Sequence, residues 1–516
     1  VYRRWVAAHT PTARELEALA TKTAALPRQP LVSVLMPVFN TDPRWLRAAI
    51  ESVQRQVYPR WELCIADDAS TSPATLQVLE DAKRDRRINV MRRAVNGHIA
   101  AASNDALALA TGEFVALLDH DDELTPDAFA EIVQAINANP DADVVYSDED
   151  KLSVRGARCD PFFKPDWSPE HFLGQMYTCH VTVVKTALVR ELGGFREGFE
   201  GSQDYDLWLR MAARTSRIHH VPKVLYHWRK IPGSAAAVVD AKSYALENAR
   251  RALEDHARST GMDAVVESGL APSLWRVRRK IRGTPAVSII VSGGSDRTVR
   301  SLTERTTWPH RRLLHVEAGA NYSAMLNAAV RQVETQYVVI VRGEVEIITP
   351  DWVEGMLEFA QVPEIGAVGC KLRLPDGRLH HVGIVTGVGE IATHLFQEAP
   401  GQSFGWNGGA MTVRNYSAVS GALMMTRRDA WDLVGGFDEK LRTAYNDVDY
   451  CLSLREAGYR IVFTPFVEAY YHTHERSQAP DDALELRRKW GAVLERDPYY
   501  NPNLTGDFPD CRLRVR

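Results

Sequence analysis

GEFVALLDHDDELTPDAF, residues 112–129, decides how this chain is read. Phe114 to Leu118 is a short apolar run bounded by turn residues, which predicts a buried strand, and it ends in Asp119-His120-Asp121-Asp122. Three carboxylates so close together repel one another unless a cation sits among them. Carboxylate oxygens suit Mg2+ or Mn2+, whose remaining ligands are commonly water and substrate phosphates. The strand end therefore predicts a seat for a divalent cation that bridges a diphosphate.

Outward from this stretch, expected strands at 31–38, 61–66, 88–92 and 113–118 alternate with expected helices at 43–56, 73–84 and 99–110. Alternation of this kind predicts an α/β fold with a mostly parallel sheet, whose ligands gather at the carboxyl ends of the strands. Those ends also carry Pro37-Val38-Phe39-Asn40 and Asp67-Asp68. Asp67 and Asp68 either face that rim or cap the helix expected near Pro73. Asp204 opens an amphipathic segment, as a helix cap or as a general base. His227 is either a core histidine or an imidazole ligand of the same metal. Neither G-x-G-x-x-G after the first strand nor G-x-x-x-x-G-K-[ST] occurs, which argues against dinucleotide oxidoreductases and P-loop ATPases.

The pattern occurs twice. PLVSVLMPV (30–38) is echoed by TPAVSIIV (284–291), the opening stretch by QYVVIVRGEVEIITPDWV (336–353), and GGFREGFEGSQDYDLWLR (193–210) by GGFDEKLRTAYNDVDYCLSLR (435–455). The offset is 255 at Val32 to Val287, 223 at Asp119 to Arg342, 242 at Gly193 to Gly435 and 245 at His227 to His472. The second copy has therefore lost a strand-loop-helix-strand stretch near Asp67 to Asn96 and gained residues around His380 to Asn407. The expected organisation is a helical segment at 1–29, a first domain at 30–275, a basic linker at 276–284, a second domain at 285–480, and a helix with tail at 481–516.

In the order PVFN, DDAS, NGHIAAASN, LLDHDDEL, SDEDK, FFKPDWSP, GGFREGFEGSQDYDLWLR and LYHWR, the chain closely resembles family 2 glycosyltransferases of the GT-A fold. In particular it resembles tandem proteins of bacterial O-antigen and surface-polysaccharide synthesis, often rhamnosyltransferases. The resemblance implies two GT-A domains and an inverting hexosyltransferase dependent on Mn2+ or Mg2+. The donor would be a dTDP-, UDP- or GDP-linked sugar, rhamnose among the candidates, and the acceptor a lipid-linked glycan. Carried over by position, Pro37, Val38, Phe39, Asn40, Asp67, Asp68, Asn96, His98, Asn104 and His120 would hold the nucleotide-sugar. Asp119, Asp121 and His227 would hold the metal, and Asp204 would be the base, preceded by Gln203 instead of the family's Glu. Tyr146, Asp148, Glu149, Lys164 and Trp167 stand where the acceptor side begins, with Trp167 either there or in the core.

In the second copy the Asp-x-Asp position reads Arg342-Gly343-Glu344, and Glu317-Ala318 stand for Asp67-Asp68. Glu344, Asp447 and His472 are expected to match Asp121, Asp204 and His227. The second domain is expected to be non-catalytic. The alternatives are a second active transferase with Arg342 in place of the metal's charge, or a glycan-binding scaffold with both domains inactive.

Composition narrows the class further. Sixty-two Lys and Arg against 66 Asp and Glu leave a charge of −4, without the basic excess on which nucleic-acid binding rests. No window approaches the ~18 apolar residues of a membrane span, and no signal-peptide pattern opens the chain. Cytoplasmic placement is expected, with peripheral docking on the inner membrane face compatible. Six scattered cysteines without a C-x-x-C pair predict reduced thiols. The first residue is Val1 rather than Met, which allows a longer natural chain.

Overall fold

The computed structural model describes residues 1–231, 243–317, 319–389, 391–473 and 479–514. These form two compact units. The first contains Val1–Trp167 and Met176–Met262, the second Ser168–Gln175 and Asp263–Arg514. All six cysteines are free thiols. Among the described residues no helix is long and apolar enough to cross a membrane.

The first unit is built on one sheet with strands in the order Ile88–Arg92, Trp61–Asp67, Val32–Val38, Phe114–Leu117, Thr182–Lys185, Val144–Leu152, Ile218–Arg229 and Glu123–Leu124. The first four run parallel, so their polar carboxyl ends share one edge. Every residue of Val32–Val38 and Trp61–Asp67 is buried, as expected for parallel strands covered on both faces. One cover is the Pro43–Gln54 helix, which buries Leu46, Ala49, Ile50 and Val53. Another is Pro73–Ala82, capped by Ser72, whose side chain accepts the Thr75 N–H. With Ser72 as the cap, Asp67 and Asp68 serve elsewhere. The N-terminal segment forms two helices, Tyr2–His9 and Ala13–Ala24, the second opened by a Thr12/Glu15 capping box.

The second unit repeats this order as Arg311–Val316, Val287–Ser292, Tyr337–Arg342, Leu423–Arg427, Ile365–Arg373, Arg460–Tyr471 and Val345–Ile347. No described strand lies outside Arg311–Val316, and the next helix is Tyr322–Arg331. The missing edge strand and helix are those that the offsets located. Leu379–His381, which pairs with Ile365–Arg373, is the counterpart of Arg158–Phe162 on Val144–Leu152, and the inserted residues supply the Ile384–Thr386/Ala392–His394 hairpin.

Two features differ from the sequence expectation. The basic stretch is not a solvated connector, because Trp275–Arg279 pairs with Ala264–Ser268 as an antiparallel hairpin of the second unit. Of its charges, Arg276 is used internally, 2.6 Å from Glu358, while Arg278 and Lys280 pair with Glu267 and Asp263 at the surface. Ser168–Gln175, though it lies within the first copy's sequence, belongs to the second unit. There the buried Glu170 pairs with Arg460 at 3.0 Å and accepts the Asn415 amide at 2.6 Å.

Candidate active site

The rim formed by the parallel strand ends is assembled by short polar links. His120 Nδ1 lies 2.9 Å from the Pro37 carbonyl, joining the ends of two neighbouring strands. Asn40 has φ 46°, and its amide oxygen accepts the Thr71 and Ser72 N–H groups at 2.8 and 3.0 Å. Asp67 pairs with Arg92 at 3.2 Å and Asp68 with Arg93 at 3.0 Å. Asp68 also accepts the Gly97 N–H at 2.8 Å, while Asn96 donates to the Asp68 carbonyl and accepts the His98 N–H. Pro37, Val38, Asn40, Asp67, Asp68, Asn96, His98 and His120 are thus gathered on one side, and Phe39 projects 47% exposed among them.

Asn104 is not part of this rim. Its amide donates to the Phe195 carbonyl and accepts the Phe195 N–H, both at 2.8 Å. Asn327 makes the same pair with Phe437 in the second unit. This amide clamp belongs to the fold and is kept in the copy that lost the rim.

The four residues 119–122 divide their work. Asp122 is buried, accepting the Tyr226 hydroxyl at 2.6 Å and the Arg229 N–H at 2.7 Å. Burial, with Asp121 and Asp119 adding repulsion, pushes its carboxyl well up. The carboxylates of Asp119 and Asp121 take no ion pair or hydrogen bond from another residue's side chain among the described residues, although Arg229 Nε donates to the Asp121 backbone carbonyl at 2.9 Å. Burial also pushes Asp121 up, with Asp119 adding and His120 and Arg229 opposing. Two neighbouring uncommitted carboxylates, one of them raised in proton affinity by burial and by the other's charge, fit a hard divalent cation. A preassembled three-ligand cage is absent, since no three His, Cys, Asp or Glu side chains among the described residues converge that way. His227 therefore does not complete the trio expected from the sequence. Its Nδ1 is hydrogen-bonded to Asp150, which Arg158 also pairs at 2.6 Å. Imidazoles held by a carboxylate in this way commonly offer their other nitrogen to a metal.

Asp204 stands in the first turn of Gln203–Ala212 and accepts the Tyr205 N–H at 2.8 Å. Burial pushes its carboxyl up, Asp119 adds to this, and His180 and the Tyr205 N–H oppose it. Asp119 and Asp204 are therefore close enough to feel each other, and the raised proton affinity suits a base. His180 was not singled out by any sequence motif. Its ring stacks on Tyr226 with centroids 4.6 Å apart.

The residues expected on the acceptor side lie mostly beneath the site. Tyr146, Asp148, Glu149 and Lys164 are buried. Tyr146 donates to the Pro165 carbonyl at 2.6 Å, Asp148 accepts from His220 and from the Lys164 N–H, and Glu149 pairs with Lys164 at 3.0 Å. Internal partners occupy these groups, so they brace the site instead of facing an acceptor. Trp167 is half-buried and stacks on Trp208.

The second unit's ladder corrects one expected match. Glu123, two residues past Asp121, pairs with His227, whereas Glu346, two past Glu344, pairs with Tyr470. His472 instead occupies the place of Arg229, since Arg229 pairs with Glu123 and His472 with Glu346. The second unit thus has Arg342, Glu344 and Tyr470 where the first has Asp119, Asp121 and His227. Asp447 keeps its place at a helix start and accepts the Gly421 N–H at 2.7 Å. Ala318 lies outside the described residues.

A parallel sheet edge ending in an Asp-x-Asp, continued by antiparallel strands and repeated in tandem, is a pair of GT-A domains. The chain belongs to glycosyltransferase family 2. It matches the "Glycosyl transferase family 2" model over residues 33–182 and the "Glycosyltransferase like family 2" model over residues 280–492, together well over half of its length. It is similar to the uncharacterized protein y4gI of Sinorhizobium fredii, 43% identical over 97% of this chain and 61% of that one. It is also similar to the O-antigen biosynthesis protein RfbC of Myxococcus xanthus, 35% identical over 99% of this chain and 43% of that one. The chain thus spans about half the length of these curated relatives. Among solved structures, S. aureus TarS 1–349 in complex with UDP-GlcNAc is 24% identical over 43% of this chain and 65% of that one, with a TM-score of 0.36.

Proposed function

We propose that the first unit is an inverting glycosyltransferase acting on a growing surface polysaccharide or O-antigen, and that the second unit is a non-catalytic partner. The observation that carries this is the closeness of Asp204, a half-buried carboxyl with raised proton affinity, to Asp119 of an acidic strand end whose Asp119 and Asp121 carboxylates are uncommitted. The strand-end rim around Asn40, Asp67, Asp68 and His120 would receive the nucleotide of a dTDP-, UDP- or GDP-linked sugar. Asp119 and Asp121 would hold Mn2+ or Mg2+, with Asp150 steadying His227 beside them. When bound, such a cation neutralises charge on a leaving diphosphate. Asp204 would accept the proton of an acceptor hydroxyl as that oxygen attacks the anomeric carbon from the face opposite the departing diphosphate, inverting the centre.

Several replacements support the reading of the second unit. Arg342 puts a positive charge where the first unit has Asp119, Tyr470 replaces His227, and the edge strand of the nucleotide side is missing. Resemblance to RfbC supports the polysaccharide setting, and the transferred sugar, rhamnose among the candidates, is to be found by a donor screen. The decisive experiment is Asp204→Asn in the full chain. Transfer should fall by about 10² to 10⁴ while Mn2+-dependent nucleotide binding stays intact. Near-normal transfer by this variant would refute the assignment.

A further inference from the structure

We propose that His180 is a substrate-contacting residue of the first unit, holding a sugar hydroxyl beside Asp204. The inference rests on the reading of that unit as a transferase.

The backbone at His180 is fixed from both sides. Its N–H donates to Glu149 Oε2 at 2.8 Å, and its carbonyl accepts Lys164 Nζ at 2.7 Å. Lys164 Nζ also donates to the carbonyls of Ser147 and Thr178, at 2.7 and 2.6 Å, and pairs with Glu149 at 3.0 Å. The Lys164 and Glu149 side chains are 0% and 3% exposed. Burying an ammonium and a carboxylate costs several kcal/mol per ion before their mutual bonds offset it, and apolar residues of similar volume would serve stability as well or better. Four of these bonds end on Thr178 and His180 or on each other, so the cluster fixes one short segment.

The side chain on that segment is equally well placed. The His180 ring stacks on Tyr226 at 4.6 Å, with planes 16° apart, and meets Trp228 edge-on at 5.9 Å. Tyr226 in turn holds the acidic strand end through Asp122 and accepts the Asp119 N–H. His180 is half-buried, and its ring nitrogens have no hydrogen-bond partner among the described residues. A neutral imidazole offers one donor and one acceptor, which suits a sugar hydroxyl.

The second unit supplies an internal comparison. Phe114, five residues before Asp119, pairs with Lys185, and Tyr337, five before Arg342, pairs with Arg427. Counting back five from each partner sets His180 against Ala422. The imidazole is therefore missing from the copy that has also lost the two metal carboxylates' pattern and His227, while Asp447 remains.

The test uses the full chain with Mn2+ and a donor panel of UDP-GlcNAc, GDP-mannose and dTDP-rhamnose, with a synthetic glycan as acceptor. His180→Ala should lower kcat/KM by about 10- to 100-fold, the worth of one hydrogen bond to substrate, with UDP·Mn2+ binding unchanged. His180→Asn, which keeps a donor and an acceptor, should recover part of the rate. A loss already present in donor hydrolysis assigns the contact to the donor sugar, and a loss seen only in transfer assigns it to the acceptor. Wild-type rates in His180→Ala, or equal losses in both variants together with lost UDP·Mn2+ binding, would overturn the proposal. If the wild-type protein hydrolyses no donor and Asp204→Asn behaves identically, the underlying transferase reading fails instead.

Discussion

The guanidinium of Arg342 lies over the Tyr322 ring, 4.2 Å from its centroid. In the first unit the corresponding strand end is Asp119, which no side chain covers in this way. A cation–π contact between partly buried groups is worth roughly 1–2 kcal/mol, and under the proposed reading of a non-catalytic second unit this stack would help to keep its strand end closed to a cation. Calorimetry of the full chain with UDP and Mn2+ should therefore give one site per chain. A stoichiometry of two would show that the second unit binds nucleotide after all.

Neighbouring carboxylates in the acidic strand end should separate on mutation. Asp122→Ala leaves the Tyr226 hydroxyl and the Arg229 N–H buried without their acceptor, and should cost about 1–3 kcal/mol in urea unfolding. Asp121→Ala removes a repelling charge and should leave stability unchanged or slightly raised, while abolishing Mn2+-dependent turnover. Equal stability losses would mean that both residues are structural.

Asn104→Ala should destabilise the first unit by about 1–3 kcal/mol through the orphaned Phe195 backbone groups, with nucleotide affinity intact in the folded fraction. Asn327→Ala should do the same to the second unit. If Asn104→Ala weakens UDP·Mn2+ binding without loss of stability, Asn104 lines the rim after all.

The second unit should be sensitive to mild acid. Burial holds His171 and His381 well below the usual imidazole range, so both are neutral in the fold. An unfolded chain takes up their protons below about pH 6.5 while the fold does not. Stability is therefore full above that pH and falls as pH drops through it, by up to about 1.4 kcal/mol per pH unit for each group. Urea midpoints between pH 7 and 5 should fall, and His381→Gln should flatten the slope. A pH-independent midpoint would contradict this.

The alternation of strands and helices was legible because burial on both faces leaves apolar runs with turn residues between them, and Asp119 and Asp121 were legible because acidic clusters at such ends are rare. Less accessible were partners set by tertiary contact. Asn104 read as a pocket amide because Phe195, its partner, lies 91 residues away. His472 read as the twin of His227 because both are histidines near a strand end, but ladder register is set by pairing and bulges, not by residue identity. The strand preceding each crosses such irregularities, between Ser147 and Glu149 in one unit and between Cys370 and Lys371 in the other. His180 carries no motif at all; its placement follows from Lys164 and Glu149, which read as acceptor residues.

The Ser168–Gln175 segment sets a timetable for biosynthesis. Glu170 is 290 positions ahead of Arg460, so at about 5–20 residues per second it leaves the ribosome roughly 15–60 s before its ion-pair partner exists. During that interval the segment has no core to enter, although the chain on either side of it belongs to the first unit. Loss of the C-terminal half would therefore leave a piece of the first copy without its partners as well, so the second unit is needed to complete the folding of the first copy's own sequence.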